Sequence, residues 1–206
     1  MRISALPYCP DSAERFEAIA DEPWSVFLDS GRPRSTMGRF DILAARPYVT
    51  LVTRGGMTEI RERDRPTLSP ADPFELLRRY LAADGHPTAL PFAGGAIGYF
   101  GYDLARRIEQ LPDHARDAEA IPDMAIGIYD WAVIVDHAQR ASWLVGSGRD
   151  ARTDASWNEL IALFSDTPHI TARRPFQVGP VSCNFTPDSY RQAFSRIQHY
   201  IRAGDC

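Results

Sequence analysis

The chain has 206 residues, of which 44% are hydrophobic and 24% charged, with a net charge of −4. That composition is ordinary for a soluble globular protein of one domain and a short extension, and its balance calls for no basic, nucleic-acid-binding face. All 23 basic residues are Arg, which excludes a Walker A loop and any lysine nucleophile or Schiff base on this chain.

In chain order, Arg2–Leu6 predicts an edge strand. Asp11 then caps a helix to about Ala20, with Glu14 completing a capping box and Phe16 and Ile19 on its apolar side. Ser25–Asp29 reads as a buried strand. Gly31–Gly38, rich in Gly, Pro and Ser, reads as a loop. Phe40–Ala45, Tyr48–Arg54 and Met57–Glu62 follow as strands, the last two joined by a Gly55-Gly56 hairpin turn. Asp72 caps the next helix, with Pro73 in its first turn and Glu75 as the capping-box partner. Phe74, Leu77 and Leu81 share its apolar face, Tyr80 lies beside them, and Gly85 follows its end.

Pro91–Asp103, PFAGGAIGYFGYD, crowds Gly94, Gly95, Gly98 and Gly101 among strand-forming aromatic and β-branched residues. Glycine weakens a strand, so this density predicts bulges or close approach of another backbone or a ligand. A phosphate cradle is disfavoured, because the G-x-G-x-x-G spacing is missing.

Met124–Asp136 is a long apolar run read as one strand. Tyr129, Trp131, Val133 and Val135 are assigned to one face, and Ile126, Ile128, Ala132 and Ile134 to the other. A strand apolar on both faces is interior to a layered fold. Ala141–Ser147 pairs with it across a short turn. Ala151–Phe164 is a helix with Trp157, Leu160, Ile161 and Phe164 inward. Ser165–Pro180 is polar, Pro-rich and aperiodic, a linker. Thr186 then caps a helix with Pro187 in its first position, an apolar stripe of Tyr190, Phe194, Ile197 and Ile201, and Gly204 at its stop.

Cys9, Cys183 and Cys206 lack metal-ligand spacing. The start MRISALPYCPDSAERF lacks the apolar core of a signal peptide, and no run approaches a membrane span. A cytoplasmic protein with unpaired thiols is expected. His86, His114, His137, His169 and His199 are dispersed near turns or on polar helix faces, so no ligand cluster is expected among them. Asp103 and Asp130 sit beside aromatic residues. The favoured reading pairs each with Arg106, Arg107 or a backbone donor; the alternative is an acid/base pair, which needs convergent placement.

Three blocks stand in order: PFAGGAIGYFGYD with its continuation YDLARRIEQLP (Pro91–Pro112), PDMAIGIYDWAVIVDH (Pro122–His137) and FTPDSYRQAFSRIQHYIRAGDC (Phe185–Cys206). Together they resemble the aminodeoxychorismate synthase component I family, within a superfamily that includes anthranilate synthase component I. The SGRPRSTMGRFDILAARP and GIYDWAVIVDH segments are more similar to the former branch, the large subunit of para-aminobenzoate synthase. The resemblance runs from about Pro23 to Cys206. It implies an α+β fold of layered antiparallel β-sheets packed face to face with outer helices, truncated here. The implied organisation is an N-terminal component I domain (1–165), a linker (166–185) and the incomplete start of a chorismate-binding domain (186–206).

The resemblance further implies conversion of chorismate and ammonia to 4-amino-4-deoxychorismate, in para-aminobenzoate and folate biosynthesis. It implies Mg2+ held by carboxylates, and ammonia drawn from glutamine by a separate amidotransferase subunit, component II. The family's lysine nucleophile has no counterpart here, and its metal-binding motifs lie beyond Cys206. No catalytic residue and no metal site is therefore assigned, no bound cofactor is expected, and the chain alone is expected to be inactive. The run LDSGRPRSTMGRFD (Leu28–Asp41) matches the segment that helps hold tryptophan in related proteins. That match assigns Ser30, Met37, Gly38, Arg39 and Phe40 to the pocket border. Phe40 could pack on an indole and Arg39 could meet a carboxylate. Equally, the loop could carry no ligand, with Phe40 simply entering the core. The alternatives for the whole are an anthranilate synthase component I and a non-catalytic tryptophan-binding module.

Overall fold

The computed structural model describes residues 1–62, 65–81, 88–112, 117–165 and 176–205. Gly85, His86, His114, His169, Cys206 and the 166–175 part of the expected linker lie outside them. The chain divides into two compact units, Met1–Thr171 and Ala172–Cys206.

The first unit is built on two five-stranded sheets, antiparallel throughout. One contains β1 (Arg2–Leu6), β2 (Val26–Leu28), β3 (Phe40–Ala44), β9 (Trp131–Asp136) and β10 (Ala141–Gly146), in the order β1-β10-β9-β3-β2. The other contains β4 (Val49–Arg54), β5 (Met57–Glu62), β6 (Arg65–Ser69), β7 (Gly95–Phe100) and β8 (Met124–Tyr129), in the order β6-β5-β4-β8-β7. The helices of this unit are α1 (Ser12–Phe16), α2 (Pro73–Leu81) and α3 (Ala151–Ser165), with a 3-10 turn at Tyr102–Arg107.

Three apolar layers follow from strand alternation. Ile97, Tyr129, Ala132, Ile134, Val145 and Ala44 meet between the sheets. Trp131, Val133, Val135 and Leu144 face the other way, onto Trp157, Leu160 and Phe164 of α3. Leu51, Ile126 and Ile128 pack on Leu76 and Leu77 of α2. The order helix, sheet, sheet, helix is the expected α+β architecture.

The run Met124–Asp136 is corrected from one strand to two. β8 and β9 belong to different sheets, and the break falls at Asp130. The unbroken apolar alternation hides it, because both halves are buried on both faces. Tyr129 consequently leaves the face shared by Trp131, Val133 and Val135 and joins the layer between the sheets. The chain makes the opposite crossing between β3 and β4, where the Tyr48 amide donates to the Ile128 carbonyl at 2.9 Å. β3 pairs with β9, and β4 with β8. A single bent two-stranded ribbon thus runs through both sheets.

Other boundaries differ for local reasons. α1 stops at Phe16, and Asp11 caps it by accepting from the Ala13 amide instead of forming a box with Glu14. β2 is a three-residue edge strand with Leu28 exposed, so Ser25–Asp29 is not buried. β6 carries no apolar alternation and arises from its pairing with β5. In α2, Leu76 and Leu77 are buried while Leu81 is exposed. Asp72 caps α2 through the amides of Phe74 (2.9 Å) and Glu75 (3.1 Å).

The glycine block forms β7, and the close approach is to the chain's own backbone. A Cβ on Gly98 would overlap the Ala125 carbonyl oxygen of β8. Gly94 and Gly95 have φ of +105° and +141°, a region that favours glycine.

The second unit holds α4 (Pro187–Ala203). Thr186 and Ser189 form a reciprocal capping box, Pro187 opens the helix and Gly204 closes it with φ +81°. None of its residues is buried; Tyr190, Phe194, Ile197 and Ile201 are all exposed.

Candidate ligand-binding loop

The segment joining β2 to β3 carries every residue assigned to the tryptophan pocket. Its tip folds on itself. The Gly31 amide donates to Asp29 Oδ1 (2.6 Å), and the Ser35 amide donates to the Gly31 carbonyl (2.7 Å). Arg32 Nε and Nη2 donate to the carbonyls of Gly38 (2.9 Å) and Thr36 (3.0 Å). Met37, at 91% exposure, points into solvent. Gly38 sits against Ser30, where an added Cβ would overlap the Ser30 carbonyl oxygen.

Arg39 meets a carboxylate of its own chain. Its Nη2 donates to Asp136 Oδ2 at 2.9 Å, and its guanidinium lies 4.5 Å over the Phe40 ring. Phe40 is partly buried against the layer between the sheets, with Val26, Ile42, Leu90 and Phe92. Ser30 and residues 38–40 are therefore brought together at the loop's base, and Met37 stands apart at its tip.

Beneath the loop lies a polar chain that sequence reasoning missed. Asp41 Oδ1 accepts from the Ser30 amide (2.8 Å), and its Oδ2 lies 2.8 Å from His137 Nε2. His137 Nδ1 is 3.0 Å from the Tyr8 hydroxyl. The side chains of His137 and Asp41 are only 2% and 0% exposed. His137 lies in the turn after β9, near a turn as expected, but its side chain is buried. A carboxylate only accepts, so the Nε2 proton belongs to the Asp41 bond. The only sequence signal was the Asp136-His137 pair ending an apolar strand.

Burial alone would raise the Asp41 carboxyl, but hydrogen bonds from His137 and the Ser30 amide outweigh it and leave it below the usual range. Asp136 behaves alike: burial raises it, and Arg39 with the amides of Gln139 and Ala138 lowers it further. Both carboxylates are held ionised by directed donors.

The remaining candidates separate. Asp103 pairs with Arg106 Nε at 2.8 Å. Asp130 accepts from the Arg149 amide (2.8 Å) and the Ser147 hydroxyl. Each is engaged as the favoured reading expected. His199 is exposed on α4. Two open surface clefts, one bordered by Tyr48, Glu62, Thr67 and Tyr80 and the other by Gly55, Gly101, Tyr102 and Ile121, share no residue with the loop. Magnesium needs a cluster of oxygen ligands. Among the described residues no group of three or more His, Cys, Asp or Glu could hold a metal ion, so the donor set does not fit one. Among them, too, no helix is long and apolar enough to cross a membrane.

The family profile of the chorismate binding enzymes matches residues 25–206, and the chain belongs to that family. It is 40% identical to aminodeoxychorismate synthase component 1 of Klebsiella aerogenes, over 98% of this chain and 44% of that protein. It is 30% identical to the protein of the same name from Bacillus subtilis, over 97% of this chain and 44% of that one. Anthranilate synthase component 1 of Thermus thermophilus is 30% identical over 91% of this chain and 41% of its own length. The crystal structure of anthranilate synthase component I from Streptococcus pneumoniae superposes with a TM-score of 0.64 at 22% identity, covering 83% of this chain and 40% of that one. The fold is therefore that of component I. The chain spans less than half the length of the curated relatives it matches.

Proposed function

We propose that residues 1–206 are the scaffold half of an aminodeoxychorismate synthase component I. The whole protein would convert chorismate and ammonia to 4-amino-4-deoxychorismate, with ammonia delivered by a glutamine amidotransferase subunit. The observation that carries this reading is the 40% identity to proteins of that name across 98% of the chain. The reacting groups and any Mg2+ ligands belong to sequence outside these residues. The described residues supply no metal cluster, and a chain without Lys supplies no lysine nucleophile. Residues 1–165 act as the component I domain, 166–185 as a linker, and 186–206 as the beginning of the chorismate-binding region, in a cytoplasmic enzyme.

The loop base at Ser30, Gly38, Arg39 and Phe40, with Met37 above it, borders a tryptophan site. Phe40 offers an aromatic face at the edge of the inter-sheet layer, and the Ser30 hydroxyl lies against Gly38. Arg39 is already committed to Asp136, so its role is to shape the wall. Calorimetry with tryptophan tests the site. Absence of heat and of thermal stabilisation at millimolar ligand rejects it, since a ligand at about 100 times its Kd adds about 2.7 kcal/mol.

The enzymatic reading is tested by product analysis. The full-length protein with chorismate, Mg2+ and ammonia should form aminodeoxychorismate, and the 206-residue chain should form none. Anthranilate as the product would favour the second branch, to which the Thermus thermophilus relative belongs by name. Turnover by the 206-residue chain alone would overturn the scaffold reading.

A further inference from the structure

We propose that Asp41, backed by His137 and Tyr8, is the positioning residue of the 29–38 loop, setting the Ser30 amide and with it the seat of Gly38. The ligand consequence rests on the tryptophan reading above; the clamp itself does not.

The bonds within the loop tip are local, joining Asp29 to Gly31, Gly31 to Ser35 and Arg32 to Thr36 and Gly38. They shape the tip without locating it. Among the described residues, two bonds made by side chains tie the loop's base to the sheet: Ser30 to Asp41, and Arg39 to Asp136. Arg39 is 54% exposed, so water competes with its ion pair. Asp41 is fully buried, and water cannot replace what it accepts.

Asp41 is itself held from behind. His137 reaches it from the end of β9, and Tyr8 reaches His137 from the segment after β1. The Arg140 guanidinium lies 5.1 Å over the Tyr8 ring. The His137 amide also donates to the Arg39 carbonyl at 2.9 Å, so one residue holds the start of the loop's return strand at both Arg39 and Asp41. Gly38 has no room for a Cβ above Ser30, so the two backbones pack directly on each other and the position of Ser30 bounds that of Gly38. Three sequence-distant segments thereby decide where a loop that none of them belongs to will sit.

The test is hydrogen-exchange mass spectrometry on the ligand-free full chain, comparing a peptide spanning Ser30 with one spanning β9. Asp41→Ala should speed exchange at Ser30 by roughly tenfold while β9 is unchanged. Asp41→Asn should restore protection. Its amide oxygen can accept from Ser30, and its amide nitrogen can donate to His137 Nε2, whose Nδ1–H then donates to Tyr8. Tyr8→Phe, which removes one hydroxyl and keeps the packing, should speed exchange at Ser30 by roughly threefold, and it decides the matter if Asp41→Ala does not fold. Unchanged exchange at Ser30 in the folded variants overturns the clamp. So does equal acceleration at β9, or failure of Asp41→Asn to restore protection. Calorimetry separates the ligand question. If the unmodified protein takes up no tryptophan, the pocket reading fails and the exchange data still judge the clamp. If it binds, Tyr8→Phe should weaken Kd by a few-fold.

Discussion

The Asp130 carboxylate accepts the backbone amide of Arg149 over 2.8 Å, at the residue where the chain passes from one sheet to the other. The Ser147 hydroxyl donates to the same oxygen, and the Ser147 amide donates to the Asp130 carbonyl at 2.8 Å. The end of β10 and the approach to α3 are thereby pinned to the crossing between β8 and β9. Asp130→Ala should cost about 1–2 kcal/mol, because two partly exposed donors lose their buried acceptor. Its Oδ2 has no partner among the described residues, so Asp130→Asn should cost clearly less. Denaturant unfolding of both variants measures the difference, and equal losses would count against this role.

Gly98→Ala should destabilise by about 1–3 kcal/mol, because the added methyl meets backbone and no flexible side chain can yield. The damage should be local. Amide exchange should accelerate in β7 and β8 and stay slow in β10.

Trp157→Ala should cost about 3–5 kcal/mol by opening a cavity under β9 and β10. Trp157 is 1% exposed, packs with Val133, Leu144 and Phe164, and donates from Nε1 to Ser4 Oγ at 3.0 Å. Trp157→Phe keeps most of the apolar volume and should lose less than half as much. Urea midpoints at constant slope give both values.

Acid should weaken the fold through Asp41 and Asp136. Burial pushes both carboxyls up, directed donors pull them further down, and both end below their ordinary value. The unfolded chain then binds more protons as the pH drops past about 3.9. Their stabilisation is complete above that point and is lost as pH falls through the lowered folded values. Asp41→Asn removes one of the two groups, so its stability difference between about pH 6 and about pH 3 should be smaller than that of the unmodified chain. Urea titrations at the two pH values measure it, and an undiminished difference would contradict the assignment.

The apolar stripe of α4 predicts self-association of the 206-residue chain. Phe194 and Ile197 are each 53% exposed. Replacing both with Glu should lower the weight-average mass in sedimentation while leaving helical circular dichroism intact, because the caps at Thr186 and Gly204 are untouched. An unchanged mass would show that this face drives no association.

Much of the fold was legible along the chain because it depends on near neighbours. The Gly55-Gly56 hairpin, the caps at Asp72 and Thr186 and the inward face of α3 all follow from local backbone needs and short periodicity. The family likewise follows from motif order, independent of packing. Other features required partners distant in sequence. β6 is a strand because β5 is beside it. Leu76 displaces Leu81 from the apolar face because the second sheet covers only one side of α2.

Local pattern, then, determined which residues prefer strand, helix or turn, and which family they belong to. Only the tertiary structure decided that Met124–Asp136 divides between two sheets and that Asp41, His137 and Tyr8 meet beneath the loop. An alternating apolar strand reads the same wherever its neighbours lie. A buried carboxylate, by contrast, takes its position from donors supplied by residues as far off as 96 positions along the chain.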